Sequence, residues 1–199
     1  MHPSTAFAWH DDEAMLGALA CYGWARLFAT TPSGPRVAHV PVLVDVAARS
    51  VRFHLANANA LTPTIENETV LLLGEGPHAY ISASWYSNRA VNVPTWNYVA
   101  VECEGRIARI DRTGLVRLLD DLSAHQEALS GGNWTRDVMA EARFGAMVNA
   151  ITGYEMTVCA IRGTRKLSQN KSAADRGALA DGVEASGNPE LAALMRTVA

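Results

Sequence analysis

The chain has 199 residues, 49% of them hydrophobic and 19% charged, and a formal net charge of −3. This balance suits one well-buried globular domain and excludes an intrinsically disordered segment. The negative charge also excludes any general attraction for DNA phosphates or anionic lipid. No apolar run approaches the length needed to cross a bilayer, and the start MHPSTAFAWHDDEAM lacks the basic and apolar stretches of a signal segment, so a cytoplasmic location is expected. Cys21, Cys103 and Cys159 are odd in number and far apart, and read as small core residues rather than disulfides or zinc ligands.

In chain order, Asp11, Asp12 and Glu13 open a helix with an apolar face of Met15, Leu16 and Leu19, ended by Gly23. WARLFATT (residues 24–31) reads as a strand, PSGP (32–35) as a turn and RVAHVPVLVD (36–45) as the antiparallel partner. Pro41 inside that partner predicts an edge position or a bulge. SVRFHLA (50–56) alternates as a half-buried strand, and NANALTP (57–63) breaks it into a short helical turn. TVLLLGE (69–75) is a buried strand ended by Gly76–Pro77, and AYISASWY (79–86) is the next strand. The loop SNRAVNVP leads to a long strand or bent hairpin over 96–111, where Gly105 predicts a bend.

Asp111 caps a helix carrying Leu115, Leu118, Leu119 and Leu122, and a second helix is expected over about 135–150. The last strand, 152–167, runs into SQNKSAADR, where Ser172 and Asp175 start a third helix in the manner of a capping box. Asn188–Pro189 begins a terminal helix. The pattern predicts an α+β domain built on a small antiparallel barrel, spanning 1–199 as one unit with a helical C-terminal region at about 112–150 and 172–199. No G-x-G-x-x-G follows a strand and no P-loop is present, which argues against a nucleotide-binding parallel sheet.

The stretch Gly74–Tyr98 concentrates the chemistry. It holds half of the chain's five tryptophans and five tyrosines, interleaved with Ser82, Ser84, Thr95 and Asn97. Flat amphipathic rings beside short hydrogen-bonding groups suit a pocket for a flat polar ligand, with Trp85, Tyr86 and Trp96 as its walls. A half-buried hairpin would explain the same composition. His39 and His54 sit on strands, where a structural role is the commoner one, and Asn57 and Asn59 leave the second strand in a turn whose N–H groups could cradle a phosphate.

Only two of the seventeen basic residues are lysines, Lys166 and Lys171, and both lie in RKLSQNK. With Ser168, Gln169 and Asn170 they supply charged and neutral donors at a strand exit. Such a set suits a phosphate, or the O=C–N–C=O edge of a flavin. His39, His54 and His78 match no zinc spacing.

Taken together, AHVP, HLANAN, GPHAYIS-x-SWY, VPTWNY and KLSQNK occur in an order and spacing that resemble the PaiB-like family of FMN-binding negative transcriptional regulators, over about residues 21–182. The resemblance implies an FMN-binding, Greek-key-like split β-barrel of the pyridoxamine-phosphate oxidase type. It implies a homodimer with FMN between subunits, and a regulatory role with DNA as a partner. The implied cofactor residues are His39, His54, Asn57, Asn59, Ser82, Ser84, Trp85, Tyr86, Thr95, Trp96, Asn97, Lys166, Ser168, Gln169 and Asn170. The chain departs from the family pattern at Asn57, where an Arg is usual, and at Ala60 and Ala83, where Pro is usual. A flavin-dependent oxidoreductase is the alternative reading, and a haem-binding relative with His39, His54 or His78 as axial ligand is a third.

Overall fold

The computed structural model describes residues 3–198. Within them the chain forms two compact units assembled from separate stretches. The first takes the residues up to Met15, Glu75–Val101 and the chain from Arg162 on, and the second takes Leu16–Gly74 and Glu102–Ile161. The strands are β1 (Ala8–Trp9), β2 (Trp24–Thr31), β3 (Gly34–Pro41), β4 (Leu43–Asp45), β5 (Ser50–Ala56), β6 (Thr69–Ile81), β7 (Thr95–Arg109) and β8 (Ile151–Lys166). The helices are α1 (Asp12–Tyr22), α2 (Arg112–Ser130), α3 (Glu141–Val148), α4 (Ala173–Ala185) and α5 (Pro189–Thr197). The strand order is β3-β2-β6-β7-β8-β5-β4, with β1 added to β8.

In the second unit the antiparallel pairs follow the side-chain alternation. β2 pairs with β3 from Trp24↔Pro41 to Thr31↔Gly34, and β5 pairs with β8 from Ser50↔Thr157 to Ala56↔Ile151. One face of β5 buries Val51, Phe53 and Leu55, and Phe53 stacks on Tyr154 at 5.6 Å. The other face meets α2, where the Arg52 guanidinium donates to Asp121 at 3.0 Å. β3 lies at one end of the strand order yet packs against β5, so the sheet curls back on itself within this unit. Pro41 ends the edge strand β3, and Val42 N–H donates instead to the Gly23 carbonyl at 3.0 Å. That separates β4 from β3, which the sequence reads as one strand.

Further expectations are corrected. Gly76–Pro77 does not end a strand, because β6 runs through to Ile81. Its pairing with β2 involves only Leu71–Leu73, so at Pro77 the missing N–H removes no bond from that ladder. Residues 83–85 form a 3₁₀ turn rather than strand, with Ser84 N–H donating to Ser82 Oγ at 3.1 Å. The helix expected over 135–150 is reduced to a 3₁₀ turn at Arg136–Val138 and the shorter α3, since Met139 and Ala140 are extended. Val138, placed on its apolar face by the periodicity, is 74% exposed. Cys21 and Cys159 are exposed, and only Cys103 is buried.

Gly105 serves close packing in an unbroken β7. A Cβ there would collide with the Thr157 carbonyl and the Met156 side chain.

In the first unit α4 and α5 close over β6 and β7 residues. Ile81, Tyr86, Val99, Leu167, Leu179, Val183, Leu191 and Met195 form one buried cluster. Ser172 caps α4 by accepting from Asp175 N–H at 3.1 Å, and Pro189 sits at the start of α5. Trp85 lies flat on Gly182 of α4, where a Cβ would stand 2.7 Å from its ring carbon Cε2.

Candidate functional site

A cleft of about 240 Å³ opens in the first unit between the start of β7, the loop before it and the turn after β8. Its lining includes Tyr86, Asn92, Thr95, Asn97, Lys166, Ser168, Asn170 and Lys171, with Phe7 from the N-terminal segment. Strand alternation turns Thr95 and Asn97 to the same side. Where β8 ends, Ser168 takes a left-handed backbone, φ 64°, a conformation that costs a non-glycine residue energy. The reversal folds the side chain of Ser168, a residue only 4% exposed, back onto Asn97 of β7.

The polar contacts are specific. Asn97 is fully buried, and its Nδ2 donates to Ser168 Oγ at 2.9 Å and reaches Met195 Sδ at 3.5 Å. A thioether can only accept, so this side of the amide is the NH₂ side. Asn97 Oδ1 is left buried with no partner, a deficit of about 1–3 kcal/mol unless a donor meets it.

Lys166 Nζ donates to Thr95 Oγ1 at 2.7 Å and lies 5.8 Å above the Phe7 ring. Its pKa is lowered, and burial is the cause. No carboxylate pairs with it among the described residues. Lys171 Nζ donates to Asn92 Oδ1 at 2.9 Å and lies 5.2 Å above the Tyr86 ring.

The rim is tied down by Asp175. Its Oδ1 accepts from Ser87 N–H at 3.0 Å and from Ser87 Oγ at 2.8 Å. Those two bonds, Ser87's backbone first, hold its carboxyl below the usual range, with Ser172 and the Lys171 charge adding to them. Burial raises the Tyr86 phenol, and the Asp175 charge raises it further.

The structure divides the residues singled out from the sequence. Tyr86, Thr95, Asn97, Lys166, Ser168 and Asn170 meet in the cleft. Trp96 alternates to the opposite face of β7, and with Ser82 and Trp85 it lines a separate groove of about 510 Å³. There His78 and Tyr80 pack on the Trp96 ring at 5.7 and 6.4 Å. Ser84 is exposed on the adjacent 3₁₀ turn.

Gln169 turns away from the cleft and acts as a clamp. Its Oε1 accepts from Leu167 N–H at 2.8 Å and its Nε2 donates to the Ala6 carbonyl at 3.0 Å. Tyr86 is only 4% exposed within its own chain.

His39, His54, Asn57 and Asn59 belong to the second unit. His39 is exposed and stacks on Trp24 at 6.4 Å. His54 has its Nδ1 buried without a partner, and burial lowers its pKa. Asn57 uses both ends of its amide internally, donating to the Asn149 carbonyl and accepting from the Thr152 hydroxyl, each at 2.8 Å. Asn59 Oδ1 accepts from Leu61 N–H at 2.9 Å, and the N–H groups of Asn57 and Asn59 bond the carbonyls of Ala150 and Ala56. The turn therefore satisfies itself. Among the described residues no group of three or more His, Cys, Asp or Glu could hold a metal ion.

Phe7, Asn92 and Asp175 were not legible as site residues. Phe7 and Asn92 line the cleft and Asp175 bonds Ser87 beside it, each from a different part of the chain, and nothing local distinguishes them.

Residues 1–160 match the family described as "Putative FMN-binding domain". A relative from Bacillus subtilis (strain 168), "Protease synthase and sporulation protein PAI 2", is 35% identical over 123 residues, covering 61% of this chain and 58% of its own length. The chain thus spans less than two thirds of that curated relative. Among solved structures, the flavocytochrome Anf3 from Azotobacter vinelandii superposes with a TM-score of 0.63 at 17% identity, covering 83% of this chain and 72% of the other. The FAD and heme binding protein from Mycobacterium smegmatis gives 0.61 at 10% identity, covering 90% and 80%. The α+β split-barrel fold follows from these likenesses.

Proposed function

The chain belongs to this family of FMN-binding domains, and from that premise we propose that it binds FMN at the cleft of Thr95, Asn97, Lys166, Ser168, Asn170 and Lys171. One observation carries the reading. Two lysines converge on a cleft whose buried wall holds an acceptor without a donor, Asn97 Oδ1. Cations beside neutral donors and one acceptor are a set that the ring edge of a flavin can meet. When bound, flavin supplies hydride and electron transfer. The chain's own residues hold and orient it, with Lys166 and Lys171 resting on Phe7 and Tyr86 and the Asp175–Ser87 bonds fixing the rim.

The assembly is a cytoplasmic homodimer of the PaiB-like kind with a regulatory role. The half-exposed rings of Tyr80 and Trp96 support a partner surface. Sedimentation at micromolar concentration should give twice the 21.4 kDa chain mass, and a monomer alone would overturn the dimer.

The visible spectrum of purified protein, with FMN, FAD and haem assayed in the denatured supernatant, tests the cofactor directly. A flavin-dependent oxidoreductase is the second reading, favoured by the exposed Arg89 in the loop at the cleft mouth, where it could attract an anionic substrate. A salt series with labelled duplex DNA, run beside anaerobic mixing with NADH and NADPH, separates the two. With a net charge of −3, random duplex should bind weakly at physiological salt. Rapid flavin bleaching without DNA affinity favours the enzyme, and tight sequence-selective binding with inert flavin favours direct regulation.

A further inference from the structure

Resting on the flavin reading above, we infer that this cleft grips the imide edge of the ring, O=C–NH–C=O, through Ser168, Asn97 and Lys166, and not the phosphate. The argument is one of matched polarity. Asn97 Oδ1 is an acceptor with no donor, and the Met195 thioether on the other side of the amide keeps it from turning over. Phosphate dianion offers only acceptors and would face that oxygen lone pair to lone pair. An imide N–H is the donor it lacks.

The flanking groups are both donors. Ser168 Oγ accepts from Asn97 Nδ2 at 2.9 Å, which leaves its own O–H to give. Lys166 Nζ has three protons, and one goes to Thr95 Oγ1. Donor, acceptor, donor on the wall thus meets acceptor, donor, acceptor on the ligand. Ser168 holds this place through its left-handed backbone, φ 64°. Asn97 Oδ1 is closed to water, so the inference requires the wall to open for the edge to reach it. The same edge occurs in uracil, and the two sources differ in the fused rings behind it.

The test is a fluorescence titration of wild-type protein with FMN, riboflavin and the N3-methyl derivative of each, with uridine monophosphate as competitor. Methylation should weaken binding by about tenfold or more, the loss expected when a buried acceptor stays unpaired. In Asn97→Leu, or Asn97→Ser if the first variant does not fold, unmodified FMN should fall to the affinity of its methylated form. Methylation should then make no further difference. Equal binding of FMN and N3-methyl FMN to wild-type protein overturns the imide assignment and leaves flavin binding intact. No binding of FMN or riboflavin overturns both. Displacement of FMN by uridine monophosphate at similar concentration overturns the flavin source in favour of a pyrimidine nucleotide.

Discussion

Replacing Lys166 by Met removes the ammonium over Phe7 while keeping an unbranched apolar side chain, which makes it the sharpest perturbation of the cleft. Losing a charge-assisted donor to a partly buried acceptor costs about 1.5–3 kcal/mol, roughly ten- to a hundredfold in affinity. Without ligand the substitution should be mild. Burial already disfavours the ammonium, and the bond lost is the one to Thr95 Oγ1. A Tm shift under about 4 °C, equivalent to about 1 kcal/mol for a chain of this size, is expected.

The pH dependence has a definite sign. With a folded pKa below the ordinary 10.5, Lys166 loses its proton earlier than a free lysine. Flavin affinity should therefore decline as the pH rises through that lowered value, a decline absent in Lys166→Met. Isothermal titration with FMN, across a pH series and beside Arg196→Ala, reads both effects. Arg196 is committed to Asp181 and Glu184 at 2.7 and 2.6 Å and should leave affinity unchanged. Equal affinity in Lys166→Met and wild type would refute the assignment of this cleft.

At the Trp85 contact, Gly182→Ala forces a Cβ against the indole and should cost about 1–3 kcal/mol, read as a lower urea midpoint with an unchanged m-value. His54 is a second pH probe: its folded pKa lies below 6.5, so the unfolded chain binds more protons between the two values. Stability is then lost as the pH falls from 6.5 toward the folded pKa, and His54→Gln should flatten that part of a urea-midpoint series from pH 7.5 to 5. Asp175→Ala removes the acceptor for both Ser87 bonds and should speed tryptic cleavage at Arg89 with little change in Tm.

Local chemistry made much of this protein legible. Asp111 and Ser172 cap their helices as their spacing indicates, and β2 and β5 have the bounds that alternation and turn residues give them. The blocks that carry the family resemblance need no structure, because long composition-rare strings are properties of the chain alone. Alternation could also have separated Trp96 from Thr95 and Asn97, since a strand sends neighbours to opposite faces. The aromatic concentration in Gly74–Tyr98 obscured that split.

Other features depend on contacts far apart in sequence. Gly76–Pro77 reads as a break, yet β6 passes through it, its ladder with β2 lying at Leu71–Leu73, short of the proline. Gln169 reads as a ligand donor, but its amide closes on Leu167 and Ala6. The partnerless oxygen of Asn97 is the clearest case, since an unmet hydrogen bond is a relation among Asn97, Ser168 and Met195 and belongs to none of them singly. Residue type determined which groups could donate or accept. Only packing decided which of them was left wanting.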